Sequence, residues 1–355
     1  MQEGSWTAHG GKKTTDQHGP YSVLSAWSSL IELRGKGRLM RKTGLLYDER
    51  FMLHRTPPGY PEAPERLRAV LRGLKKAGFL PELIPIPATA AKLKWIETVH
   101  SPRYIHSFEE ACALDLGEMG SADNPICPQT YEIALLAVGG ILNAVDMLME
   151  GKIDNAFCAV RPPGHHAKMR EALGFCYFNN VAIAARYLQL QWNIARVGIV
   201  DFDVHHGNGT QHTFEDDPDV FYYSIHEHPS FSYPGTGSEF EKGSGRGTGT
   251  TLNSTILPGQ GDEEYMRKIM RDLVPAFDEF RPEVILVSAG FDAHAADDIS
   301  GVNLSTEGFS WIMEVILRLA DRHAGGRLIS VLEGGYSIEL LPELIANHVR
   351  ILLEL

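Results

Sequence analysis

The chain has 355 residues, 43% hydrophobic and 22% charged, enough apolar material to fill a large buried core. Its 45 acidic residues outnumber 33 basic ones, and a net charge of −12 disfavours a surface built to grip nucleic-acid phosphates while tolerating a cationic partner or substrate. The pattern lacks the long apolar run of a membrane span, and the scattered Cys112, Cys127, Cys158 and Cys176 predict neither a zinc knuckle nor a disulfide framework, so a reducing, cytoplasmic setting is expected.

Residues 1–39, rich in Gly, Ser, Thr and His, read as a disordered and dispensable extension, although 21–33 has the spacing of a short amphipathic helix. From residue 40 onward short β-branched runs alternate with longer helical patterns, as in a parallel sheet with crossover helices. Strands are expected at 44–47, 155–160, 197–200, 220–224, 284–288 and 328–332. Helices are expected at 64–77, 128–149, 179–190, 263–280, 306–322 and 340–353, the second opened by Pro128 in its first turn. Residues 229–262, rich in Gly, Ser, Thr and Pro, read as an extended functional loop. Length alone would allow two domains, but no repeat or boundary appears. The expectation is therefore one α/β domain over 40–355, a mostly parallel multi-stranded sheet flanked by helices.

Four polar clusters directly follow four of the expected strands: Arg161-Pro-Pro-Gly-His165-His166, Asp201-Phe-Asp203-Val-His205-His206-Gly-Asn208, Gly290-Phe-Asp292 and Glu333-Gly-Gly-Tyr336. Ligand crevices of open α/β sheets lie outside the carboxyl ends of the strands, so all four can converge on one pocket. Asp201, Asp203 and His205 alternate at two-residue spacing and can share one face of an extended chain. Carboxylates with an imidazole suit Zn²⁺, with Fe²⁺ or Mn²⁺ as alternatives, and Asp292 is a further ligand candidate from another strand end. Alone, such a motif is more often a solvated turn than a metal site, and alternation leaves open whether Asp201 or Asp203 binds metal. His165 and His166, on a rigid Pro-Pro-Gly support, can move protons near neutral pH. Tyr336, beyond two glycines, can donate to a developing oxyanion.

Five ordered motifs, Arg161-Pro-Pro-Gly-His-His-Ala167, Gly174-Phe-Cys-Tyr-Phe-Asn-Asn180, Val200-Asp-Phe-Asp-Val-His-His-Gly-Asn-Gly-Thr-Gln211, Ser288-Ala-Gly-Phe-Asp-Ala293 and Leu332-Glu-Gly-Gly-Tyr336, closely resemble the zinc-dependent histone deacetylase family, which includes acetylpolyamine amidohydrolases and has an arginase-like fold. Asn208 and Glu333 make the pattern resemble class II members. The resemblance implies Asp203, His205 and Asp292 as zinc ligands. It implies His166 as general base and acid, His165 as its electrostatic partner supported by Asp201, Asn208 beside His166, and Tyr336 as oxyanion donor. It further implies a tunnel walled by Gly174, Phe175 and Tyr233, the last usually phenylalanine, with Asp123 at the rim. Arg66 matches an internal-channel arginine, with Tyr60 replacing a usual histidine, and Asp201 with Ser224 would serve a structural K⁺.

The implied reaction is hydrolysis of an acyl-amide, with N6-acetyl-lysine of a protein or peptide as substrate. An acetylpolyamine is the alternative. Polyamine-selective relatives can carry an acidic gate where this chain has Ile299, although Asp297 and Asp298 adjoin it. A catalytically silent acyl-lysine binder and a binuclear manganese ureohydrolase are poorer fits, because Tyr336 and both tandem histidines are present.

Overall fold

Short apolar runs buried on both faces build the sheet. A computed structural model describes residues 40–354; the extension and the short helix expected within 1–39 lie outside the described residues. The strands are β1 (Thr43–Leu46), β2 (Ile84–Ile86), β3 (Glu118–Met119), β4 (Ser121–Pro125), β5 (Asn155–Cys158), β6 (Val197–Asp201), β7 (Val220–Glu227), β8 (Thr251–Ile256), β9 (Val284–Ala289) and β10 (Leu328–Leu332). Eight form one sheet in the order β2-β1-β5-β10-β9-β6-β7-β8, every neighbouring pair parallel, while β3 and β4 make a separate antiparallel pair. β5, β6, β9 and β10 are buried along their whole length, as strands covered by helices on both faces must be.

Register brings the chemistry together. β5, β10, β9 and β6 are consecutive in the sheet; Asp201 is opposite Ser288, which is opposite Val331, which is opposite Cys158. The four polar clusters therefore leave the sheet side by side at its carboxyl edge.

Two expectations need correction. The 229–262 segment is not loop throughout, since 251–256 forms β8, the parallel edge strand beside β7. Its polar side chains disguise it: Asn253, Ser254 and Thr255 are buried but bonded to Gln211, Asp272 and Glu239. The helix expected over 263–280 is α-helical at Asp262–Lys268 and Val274–Phe280, with a π segment at Ile269–Leu273 between them. Pro275 lacks the amide that would continue the regular ladder, and a local widening accommodates it. The other expected helices are present, among them Thr130–Met149. That helix is long and apolar enough to cross a bilayer, but it is mostly buried within the molecule, as a core helix is.

His348, on helix Leu341–Leu353, illustrates the core's demands on a polar group. Its ring lies 5.3 Å from that of Phe157 and 5.6 Å from that of Phe291, its Nε2 is 2.9 Å from Ser330 Oγ, and burial pushes its pKa down to about 3. The folded state therefore keeps it neutral, whereas the unfolded chain takes up a proton near pH 6.5. The resulting stability is present above that pH and is lost as pH falls towards 3. Between pH 7.5 and pH 5 the stability difference between wild type and His348→Gln should narrow by about 2 kcal/mol, from 1.5 pH units at 1.36 kcal/mol each. Urea unfolding of both proteins at the two pH values measures this; a pH-independent difference would contradict it.

Candidate active site

After β5 the chain turns through Pro162-Pro163-Gly164 and presents His165 and His166. Arg161, fully buried, braces this turn: its Nη2 donates to Glu62 Oε2 at 2.7 Å, and its Nη1 donates to the carbonyls of Phe51 and His54 at 3.2 and 3.0 Å. Burial opposes ionisation of Glu62, but Arg161 and His54 prevail and hold the carboxyl well below the usual range. From the other side, Glu333 Oε2 accepts the backbone N–H groups of Gly164 and His165 at 2.7 and 3.2 Å, and its Oε1 accepts the Ser288 hydroxyl at 3.0 Å. Burial pushes the Glu333 carboxyl up to about 7.

The side chains divide into two groups. His165 Nδ1 is 3.1 Å from Asp201 Oδ2, which also accepts the Tyr222 hydroxyl at 3.0 Å. Burial lowers the basicity of His165, but Asp203 and Asp201 reverse this and raise its pKa to about 10. His166 Nδ1 is 2.9 Å from Asn208 Oδ1, and burial, reinforced by the neighbouring His165 and His205, holds it well below the usual histidine range. The two rings are 4.0 Å apart. One histidine thus sits among carboxylates and the other against a neutral amide, so their proton affinities diverge.

Asp203, His205 and Asp292 form the second group, buried, with one potential ligand atom from each lying within 4.8 Å of the others. His205 Nδ1 is 3.1 Å from Asp203 Oδ1 and 3.2 Å from Asp292 Oδ2. One ring nitrogen cannot serve both carboxylates, and Asp292 Oδ2 is left buried without a hydrogen-bond partner. Burial and the charge of Asp203 push the Asp292 carboxyl up. This surplus of negative charge, an orphaned oxygen and a mixed O/N donor set fit a divalent cation. Glycines make the room: a Cβ on Gly334 would lie 2.2 Å from Asp292 Oδ2, and one on Gly290 2.1 Å from Asp203 Oδ2.

A cavity of about 290 Å³ reaches this group, lined by Asp123, His166, Gly174, Phe175, His205, Phe231, Ser232, Tyr233, Ile299 and Tyr336. Phe175 adopts a φ of 69°, unusual for a bulky residue, and its ring meets those of Tyr60 and Tyr336 edge-on at 5.3 and 5.9 Å. Tyr233 is 42% exposed at the mouth and packs edge-on against His166 at 5.0 Å. Burial and Asp292 raise the Tyr336 pKa well above its ordinary value, keeping the hydroxyl protonated. Arg66 lies 5.0 Å from the Tyr336 ring centroid.

The structure therefore gathers Asp203, His205, Asp292, the histidine pair, Tyr336 and the expected tunnel residues around one cavity. Asp201 and Ser224 are adjacent in register, but Ser224 Oγ is 2.8 Å from His226 Nδ1, and both Asp201 oxygens accept hydrogen bonds. Sequence reasoning missed Phe231 and Ser232, whose signal was simply their place one and two residues before Tyr233. It also missed Glu62, which lies within the same Pro61-Glu-Ala-Pro-Glu-Arg66 stretch as Arg66.

Comparison with known proteins agrees with this geometry. The histone deacetylase domain family matches residues 60–352. A probable deacetylase of Archaeoglobus fulgidus is 38% identical over 84% of this chain and 82% of its own length, and a histone deacetylase-like amidohydrolase of Pseudomonas aeruginosa is 36% identical over 86% and 84%. A polyamine deacetylase of Mus musculus is 38% identical over 88% of this chain, which spans 47% of that protein. The solved HDA15 HD domain superposes with a TM-score of 0.82 at 33% identity, covering 88% of this chain and 90% of that one. A parallel sheet that assembles a histidine pair, a tyrosine and a carboxylate–imidazole group at one cavity, matched along most of the chain by such relatives, places this protein in the histone deacetylase family of amidohydrolases.

Proposed function

We propose that the protein hydrolyses the amide of N6-acetyl-lysine in a protein or peptide. The observation that carries this reading is a cavity lined by the Phe175 and Tyr233 rings and by His205 of the Asp203–His205–Asp292 group. An aliphatic stem suits such ring walls, and Asp123 at the rim can accept from a substrate backbone amide.

Asp203, His205 and Asp292 would hold the cation, Zn²⁺ by donor type with Fe²⁺ as the alternative, and such an ion supplies Lewis acidity towards the acyl carbonyl and an attacking water. An Nδ1–H directed at Asn208 Oδ1 leaves His166 Nε2 free to take the water's proton and return it to the departing amine. His165, protonated beside Asp201, sets a positive charge against the His166 ring, 4.0 Å away centroid to centroid. The Tyr336 hydroxyl donates to the carbonyl oxygen as it becomes an oxyanion. A potassium ion at Asp201 and Ser224 has less support, since their polar atoms are already paired.

The mouse polyamine deacetylase keeps an acetylpolyamine in view as the second reading. Apolar Ile299 lines the cavity and offers no counter-charge to a polyamine's second ammonium group. Acetyl-lysine peptide should therefore be turned over faster than acetylputrescine, and Ile299→Glu should shift the ratio of their kcat/KM values towards the polyamine by roughly tenfold, the equivalent of one partly buried ion pair of about 1.4 kcal/mol. A wild-type preference for acetylputrescine would reverse the substrate assignment.

A further inference from the structure

Resting on the oxyanion role given to Tyr336, we propose that Asp297 is the positioning residue that aims this tyrosine and ties it to the substrate gate. Tyr336 follows two glycines, and Gly335 has a φ of 114°, a conformation that gives the backbone little restraint of its own. Besides the ring's packing against Phe175 and Arg66, its direction is therefore set by bonds to the main chain on either side. On the carbonyl side, Arg66 Nε donates to Gly335 O at 2.7 Å and Arg66 Nη2 to Glu333 O at 2.5 Å. On the amide side, one carboxylate does the work: Asp297 Oδ2 accepts the N–H groups of both Tyr336, at 2.6 Å, and Ser337, at 3.0 Å. Asp297 is 6% exposed, so these charge-assisted bonds are poorly screened.

The other oxygen looks towards the gate. Asp297 Oδ1 accepts the N–H of Ile299 at 3.3 Å, and Ile299 lines the cavity. Gly301, two residues further on, donates to buried Glu227 at 3.0 Å, anchoring the far end of the same segment to β7. Asp297 therefore joins two walls of the pocket, the segment that meets the substrate and the loop that meets the reacting carbonyl. It lies outside the residues that line the cavity and outside the Asp203–His205–Asp292 group, so its contribution acts through Tyr336.

The test is a double-mutant cycle on the zinc-loaded full chain with an acetyl-lysine peptide: wild type, Asp297→Ala, Tyr336→Phe and the double variant, with Asp297→Asn as the conservative substitution. Asp297→Ala should lower kcat roughly ten- to hundredfold, as expected when a reacting group is misplaced by about an ångström, with KM little changed. In the Tyr336→Phe background it should cost almost nothing more. Asp297→Asn, which can still present one oxygen to both amides, should recover most of the turnover. Amide hydrogen exchange over 333–341 should quicken in Asp297→Ala.

A kcat loss of equal factor in both backgrounds, or an unaltered exchange rate, would overturn the proposal. Near-wild-type turnover of Tyr336→Phe would instead remove the oxyanion role itself, and with it the catalytic meaning of Asp297, whatever the exchange rates. The two failures are distinct.

Discussion

Asp203→Ala should leave a folded protein that no longer retains a divalent ion and has no measurable turnover. Asp203 and Asp292 are buried carboxylates sharing one imidazole, an arrangement that self-repulsion opposes until a cation is present. Removing one carboxylate relieves the other, whose pKa Asp203 raises, so the variant loses affinity for metal and also a source of strain in the metal-free state. Against that relief stand three lost acceptor contacts, from the Gly334 N–H, the His205 N–H and the His205 ring.

Loss of an outer-sphere partner weakens metal sites by about 10–100-fold, and loss of a direct ligand should weaken binding by at least the upper figure. Metal analysis of dialysed protein gives the first reading, with about one zinc per wild-type chain expected and far less than one for the variant. Thermal unfolding gives a second that needs no catalysis. Zinc at a hundredfold excess over its Kd should stabilise wild type by about 2.7 kcal/mol and leave Asp203→Ala unmoved. A full equivalent of zinc on the variant would reassign the ligand, with Asp201 the obvious claimant.

That ambiguity marks how far the sequence could be read. The clusters were visible because each follows an apolar run, and parallel strands deliver their following loops to one edge. Alternation could not separate Asp201 from Asp203, because β6 ends at Asp201 and the chain leaves the strand there. In the structure Asp201 is taken up by His165 and Tyr222, while Asp203 turns to His205. Strand β8 was hidden because its buried polar side chains are satisfied by remote residues such as Asp272. The interruption after Lys268 was signalled by Pro275, which the apolar periodicity overrode. Asp297 read only as a charge near the gate; its bonds to Tyr336 and Ser337 span 39 and 40 residues, and no local pattern carries a contact of that range.

Tyr336→Phe should keep the metal and the fold yet reduce kcat by about 10²–10³, the usual result of removing one oxyanion donor. The ring's surroundings favour so clean an outcome. Phe175 meets it edge-on at 5.9 Å and the Arg66 guanidinium lies 5.0 Å from its centroid, contacts that a phenylalanine preserves. The hydroxyl is also well suited to donate, because burial and Asp292 hold its pKa far above neutrality, so the proton is present throughout the working pH range. KM should change little, since the bond strengthens only as charge develops on the carbonyl oxygen and contributes little to the ground state. The loss should also be insensitive to pH between 6 and 9, because the hydroxyl keeps its proton throughout that window. Turnover within a few-fold of wild type would leave the oxyanion to other donors and return Tyr336 to the role of a packing residue.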